Sequence, residues 1–287
     1  MPKAVFAGVV RNCEPHLPAV LSNLERLASL YTDVAFVFVE NDSVDATKRL
    51  LAAWGHGRPN FSLLNLDGLG KIPIRTLRLE FARNVYLEFV RGEQSLLDFD
   101  HLCVLDMDDI GSYPIDPAQF RAALEFMRQS QQCAGVFPNR IGPYYDLWAL
   151  RQAQFCPEDV WYEVLSWAHR HGTSDQEAFD NTFAKRIRSF DRSSPPIEVE
   201  SAFGGLGIYR LRYVRQCPNP YLGSRVRVLR KKDGQLMAFR MQQCEHVHFH
   251  EGIRHLGGKL FILPNLINGV STLGRVKPYS VYRDLCF

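Results

Sequence analysis

Three carboxylates close a short apolar run in His101-Leu-Cys-Val-Leu-Asp-Met-Asp-Asp109. Residues two apart in an extended chain point the same way, so Asp106 and Asp108 share a face at the end of a strand. Like charges so placed repel unless a cation neutralises them. Oxygen ligands of this kind suit Mg²⁺ or Mn²⁺, ions often held by one or two carboxylates plus substrate phosphates. The plain alternative is a solvated acidic turn, with Asp109 either a supporting acid or the start of that turn.

Other segments carry chemistry of their own. Arg83 lies in a helical stretch with Arg75 and Arg78, and the arginine fork matches phosphate oxygens; a solvated helix face would read the same. Cys244-Glu-His-Val-His-Phe-His250 is dense in ligand atoms. Extended, it sets Cys244, His246, His248 and His250 on one face as a zinc-like group. Helical, it sets His246 and His250 together at i, i+4, where a histidine would complete a metal site begun by the aspartates. Ile253 and Leu256 continue helical spacing until Gly257-Gly258, which favours the helix. Gly204 and Gly205 permit close approach of backbone to a ligand, or simply a tight turn. Tyr144, Tyr145, Asp146 and Trp148 offer a sugar or acceptor platform, or buried packing.

These residues need a frame. Val5–Val10, Val34–Val39, Phe61–Leu66 and Leu102–Leu105 read as strands; 17–30, 46–54 and 75–90 read as the helices between them. Leu77, Phe81, Val85 and Phe89, four apart, mark the expected buried stripe of the third helix. Ser43 or Asp45 is the expected cap of the second. This β-α-β-α-β-α-β order predicts an open, mostly parallel sheet flanked by helices. Ligands bind such sheets beyond the carboxyl ends of strands, where Arg11, Glu40, Asn41 and the 106–109 acids all fall. Asp116-Pro117 starts a further helix, Val136 centres a strand, 244–256 reads as helix and 259–263 as strand. Residues 158–194 show no readable pattern.

Composition narrows the classes. The 287 residues carry 46% hydrophobic and 12% aromatic side chains, and a formal net charge of +3. That balance makes no demand for nucleic acid. No apolar run approaches the roughly 20 residues of a membrane span, and residues 1–10 read as a first strand rather than a signal peptide. Seven cysteines, at 13, 103, 133, 156, 217, 244 and 286, include no CxxC pair; their scatter fits a reducing compartment. GxGxxG, GxxxxGK[ST] and GxSxG motifs are absent.

Taken in order, the segments resemble a GT-A fold glycosyltransferase, with Asp106-Met-Asp108 as its DxD motif. Val39–Thr47, Ala82–Asn84, Tyr145–Arg151, Ser201–Arg210, Cys244–His250 and Leu260–Asn268 resemble, more closely, the capsule-associated α-mannosyltransferase family and its bacterial relatives. The resemblance implies a single domain, 1–287, with a nucleotide-binding half (1–112) and an acceptor-binding half (113–287). It implies metal-dependent transfer of a sugar, mannose first, from GDP-mannose or a UDP-sugar to a glycan, glycolipid or polysaccharide. Arg11, Glu40, Asn41, Arg83 and Asp106 would bind the donor. Asp106, Asp108 and a histidine, His246 or His250, would bind Mn²⁺ or Mg²⁺. Glu245 and Asp108 would be the catalytic residues, Glu245 either as a general base toward the acceptor or as an orienting carboxylate. Asp146, Trp148, Gly204 and Gly205 would meet acceptor or sugar. It also implies a cytoplasmic protein, at or near the inner face of the membrane, without nucleic-acid partners. Two rivals share parts of the pattern: a nucleotidyltransferase on the same sheet type, and a non-catalytic zinc or carbohydrate-binding module built on Cys244 and the histidines.

Overall fold

The computed structural model describes residues 2–271, 285 and 286. Its first strand, β1 (Lys3–Val10), shows how the sheet is built. Ala4 and Phe6 bury into one layer, Val5 and Ala7 into the other, all fully inaccessible. A strand covered on both faces is apolar at every position. The chain continues through α1 (Leu17–Ala28), β2 (Asp33–Asn41), α2 (Thr47–Gly55), β3 (Phe61–Leu66), α3 (Arg75–Gly92) and β4 (His101–Leu105). Then come α4 (Pro117–Gln129), β5 (Cys133–Ile141), α5 (Val160–His171), α6 (Asp175–Asn181), α7 (Phe183–Arg186), β6 (Ile197–Val199) and β7 (Leu206–Arg210). Last are α8 (Leu211–Gln216), β8 (Ser224–Arg230), β9 (Leu236–Gln242), α9 (His246–His255) and β10 (Lys259–Val270).

Among the described residues, eight strands form one sheet in the order β3-β2-β1-β4-β7-β5-β10-β6. Strands β1 to β4 are mutually parallel, and β5 and β10 pair in parallel. Strand β7 runs antiparallel to both neighbours, β4 and β5, and joins the two halves. Strand β6 runs antiparallel to β10. One layer sets Leu17, Leu24, Leu51, Phe120 and Met127 against Phe6, Phe38 and Cys103; the other sets Tyr86, Leu87, Val164, Phe249 and Ile253 against Val37 and Val104. This is the mostly parallel, helix-flanked sheet that the sequence predicts, with two strands reversed.

Capping follows expectation at α4, where Asp116 accepts the Ala118 N–H at 2.8 Å and Pro117 opens the first turn. At α2 the cap position is Ala46, with Asp45 accepting the Thr47 N–H at 3.0 Å from one residue outside. The stripe expected on α3 is corrected. Phe81 is 51% exposed, and the face buried is Ala82, Arg83, Tyr86, Leu87 and Val90. An arginine can hold that place only because two carboxylates meet it there. The unreadable 158–194 segment holds α5 to α7, opened by Asp159, which caps Trp161 and Tyr162 while pairing with Arg151 at 2.7 Å. The hairpin β8–β9 is absent from the sequence reading because its alternation is inverted. Val226 and Val228 face outward, whereas Arg225 and Arg227 turn in toward Glu251 and Glu158. Among the described residues no helix is long and apolar enough to cross a membrane.

Candidate active site

The alternation of β4 runs on past its last residue. Leu105 and Met107 are buried, while Asp106 and Asp108 open to a cleft of about 320 Å³ at the carboxyl ends of β1, β2 and β4. Met107 is anchored on the opposite side under Gly8, where a Cβ would meet its Cγ at 2.6 Å. The shared face read from the sequence is therefore present. Across the cleft stand Arg11 and Asn41 from the ends of β1 and β2, and Arg75 and Arg78 from the first turn of α3. Arg78 donates to the Ile72 and Pro73 carbonyls, which fixes its direction. Its proton affinity is lowered by burial and then by the charges of Arg11 and Arg75. Three guanidiniums and two carboxylates thus line one cleft.

Of the two carboxylates, Asp106 meets Arg83 from below, whereas Asp108 has no cationic side chain within 4.0 Å among the described residues. Asp108 is pushed up to about 6, first by burial and then by the Asp106 charge. Its Oδ1 accepts the Ile110 N–H at 3.1 Å. Two acidic side chains, one of them short of a counter-charge, fit a divalent cation completed by substrate phosphates, the usual habit of Mg²⁺. Among the described residues no group of three or more His, Cys, Asp or Glu side chains could hold a metal. A zinc-like set on Cys244 and the histidines is thus not formed.

The histidine expectation needs correction. Segment 246–255 is helical and places His246 and His250 with ring centroids 5.6 Å apart. His250 is fully buried, with Nδ1 bonded to the Ser201 hydroxyl at 2.8 Å and Nε2 to the Tyr209 hydroxyl at 2.9 Å. Both ring nitrogens are engaged, and burial pushes the ring down to about 3; it has no lone pair to give a metal in the cleft. His246 stacks on Phe203 at 3.9 Å, with both ring nitrogens buried and unbonded. Burial, then the charge of Arg83, lowers its proton affinity far below the ordinary value.

Arg83 and Glu245 also sit differently from expectation. Arg83 is 2% exposed, beneath the cleft rather than across it. Its Nε donates to Glu245 Oε1 at 2.7 Å and its Nη2 to Asp106 Oδ1 at 3.2 Å, and its guanidinium lies 5.1 Å from the Phe203 ring. Glu245, 4% exposed, is rooted in this pair. Glu40 is 1% exposed and spends an oxygen on the Ser43 N–H at 2.8 Å, shaping the loop after β2 and lying outside the cleft wall.

The Gly204-Gly205 segment is a junction. The Asp106 N–H donates to the Gly205 carbonyl at 3.0 Å; the Gly204 N–H donates to Asp146 Oδ2 at 2.9 Å; Asn268 Nδ2 donates to the Gly204 carbonyl at 2.8 Å. Both glycines have positive φ, +68° and +86°, and a Cβ on Gly205 would run into Ile110. Asp146 also accepts the Ala149 N–H at 3.2 Å, and burial pushes it up to about 6. Trp148 is half-buried, with an unbonded Nε1. Sequence reasoning missed Arg75 and Arg78 as cleft residues, although both had been noticed on their helix, and it missed Asn268 altogether. The clustering of three arginines within nine residues was the signal for the first two.

No protein-family model matches the chain, and no curated protein matches it in sequence. Solved structures do resemble it. S. aureus TarS aligns with a TM-score of 0.50 and 15% identity over 99% of this chain and 38% of that one. A TarS 1–349 structure in complex with UDP-GlcNAc aligns with a TM-score of 0.49 and 13% identity over 96% and 62% of the two chains. Mannosyltransferase PcManGT from Pyrobaculum calidifontis, in complex with GDP-Man and Mn²⁺, aligns at 0.49 and 12% over 96% and 58%. The chain spans less than two thirds of each of these proteins. At such identity the likeness to TarS establishes a shared architecture, the GT-A-type sheet, and the reaction has to be argued from the site.

Proposed function

We propose that the protein is a metal-dependent glycosyltransferase that takes a sugar from a nucleotide diphosphate donor. One observation carries the reading: two carboxylates, Asp106 and Asp108, and three guanidiniums, Arg11, Arg75 and Arg78, line one cleft at the carboxyl ends of parallel strands. Asp106 and Asp108 would hold Mn²⁺ or Mg²⁺; the bound ion would neutralise charge on the departing diphosphate. Arg11, Arg75 and Arg78 receive the phosphate oxygens with charge-assisted bonds, and Asn41, whose Nδ2 is buried without a partner, offers a donor toward the nucleoside. Arg83 and Glu245 are positioning residues in this scheme. Glu245 holds Arg83, and Arg83 holds Asp106. The Gly204-Gly205 junction, braced by Asp146, borders the acceptor side, with Trp148 behind it.

The sequence resemblance makes GDP-mannose the first donor to test, with UDP-sugars second, and a glycan, glycolipid or polysaccharide the acceptor class. It also places the reaction in the cytoplasm, at or near the inner membrane face. The nucleotidyltransferase alternative would need a glycine-rich basic turn after β1, where this chain has Arg11-Asn-Cys-Glu-Pro15.

Thermal melting with UDP, GDP, CDP and dTDP, with and without Mn²⁺, tests the reading. One nucleotide raises the midpoint only when metal is present, as mass action requires, and the matching sugar nucleotide is turned over. Asp108→Asn loses both the metal-dependent shift and turnover. Undiminished turnover by that variant in EDTA would sink the proposal.

A further inference from the structure

A second cavity lies at the other end of the sheet, where β1 and β4 begin and β7 ends. It measures about 1050 Å³. Its wall carries Arg121 and Arg128 from α4 and Arg210, Arg212 and Arg215 from the end of β7 and from α8. Arg128 pairs with Glu125 at 2.7 Å. Among the described residues, the other four have no carboxylate within ion-pair reach of 4.0 Å. Three acids, Asp98, Asp100 and Glu125, line the same cavity against the five arginines; Asp98 is paired with Lys3 Nζ at 2.6 Å, Glu125 with Arg128, and Asp100 accepts the Lys3 backbone N–H at 2.8 Å, so the balance of charge in the cavity stays positive.

Three of these four guanidiniums are fixed in place. Arg210 donates to the Cys133 carbonyl at 2.8 Å, to the Ser130 carbonyl at 3.0 Å and to the Met127 carbonyl. Arg215 donates to the Leu97 carbonyl at 2.8 Å, and Arg212 to the Gln131 carbonyl. Carbonyl oxygens orient a guanidinium without cancelling its charge. A second sign of an absent partner is His101, which also lines this cavity. It is 7% exposed, and its Nδ1 is buried without a hydrogen bond. A buried polar atom left so costs free energy. Leu97, 53% exposed, and Leu124 add an apolar wall. The space is far larger than a bare phosphate needs and matches the upper range of small-molecule sites, about 300–1,000 Å³.

We propose that this cavity binds a phosphate-bearing ligand, its charged group on Arg121, Arg210 and Arg212, with Leu97 and Leu124 beside it to receive an apolar part where the ligand has one. The site is separate from the acidic cleft, at the far end of β4, about 17 Å away at the usual strand rise.

Isothermal titration in EDTA tests it with two probes, pyrophosphate and short-chain dihexanoyl phosphatidic acid. Binding of either supports the proposal when R121E weakens it at least about tenfold, as expected for loss of a charged hydrogen bond, and R75A, in the acidic cleft, leaves it unchanged. Binding of pyrophosphate identifies a water-soluble source; binding of the phosphatidic acid alone identifies a lipid source. The double reversal R121E/R212E abolishes binding. Arg121 is exposed and has no hydrogen bond or ion pair among the described residues, so R121E alone decides the matter should the double variant fail to fold. Absence of binding by both probes at millimolar concentration, survival of binding in R121E, or its loss in R75A overturns the proposal.

Discussion

Arg83 is the side chain on which the cleft floor depends. It shares a buried pair with Glu245 and reaches Asp106 from below. Removing one member of such a pair leaves the other charge buried and uncompensated, at a cost of about 3–5 kcal/mol. Arg83→Met should therefore lower urea stability by that amount, and Arg83→Met combined with Glu245→Leu should recover much of it. Full additivity of the two single losses would show the pair to be uncoupled. Asp146 makes a pH prediction. Its carboxyl is raised by burial from 3.8 to about 6. A folded value above the unfolded one means the bound proton favours the native state; that contribution is whole below about pH 4 and lost as pH rises through about 6. The wild-type urea midpoint, taken relative to that of Asp146→Asn, should fall between pH 4 and 7; Asp108, His246 and His250, whose own shifts act over the same range, are common to both proteins and cancel in the comparison. Asp106 and Asp108 were legible because a period of two needs only neighbours in sequence. Arg83 and Glu245 were each visible, but their bond joins positions 162 residues apart, which no local pattern records. The engagement of His250 has the same origin: its ring nitrogens are satisfied by Ser201 and Tyr209, on other elements.

At the scale of elements, the acidic turn depends on the strand beside it. The Asp106 N–H is held by the Gly205 carbonyl, just before β7 begins. Gly205 has φ +86°, where an L side chain is strained, and its missing Cβ leaves room for Ile110. Gly205→Ala is expected to cost about 1–3 kcal/mol and to weaken metal-dependent nucleotide binding by displacing Asp106. Melting and nucleotide titration on one preparation check both; a destabilised variant that binds nucleotide with unchanged affinity would uncouple the glycine from the site. Strands β1 to β4 were readable from apolar runs between polar breaks. The hairpin β8–β9 was not, because pairing with Glu158 and Glu251 lets arginines point inward where apolar residues are expected.

Across the whole molecule, one continuous sheet takes β1 to β4 from before residue 112 and β5, β6, β7 and β10 from after it, with buried layers on both faces; we propose that the two parts of the chain, 1–112 and 113–287, behave as halves of one domain. We expect them to unfold together. Trp54 lies in the first half, and Trp148, Trp161 and Trp167 in the second. Wild type and Trp54→Phe, which reports on the second half alone, should give the same urea midpoint by fluorescence. Two separated transitions in the wild type would show independent halves.

Strand β7 also sets an order of events. Until residues 206–210 take their place, β4 has β1 on one side and no strand on the other. All five of its residues, His101–Leu105, end up buried. A growing chain must therefore carry an apolar, unpaired strand edge through about a hundred further residues of synthesis, at roughly 5–20 residues per second. For those seconds the molecule is most exposed to joining with another copy, edge to edge. Its yield on expression should depend on the speed of translation and on chaperone supply more than its final stability would suggest.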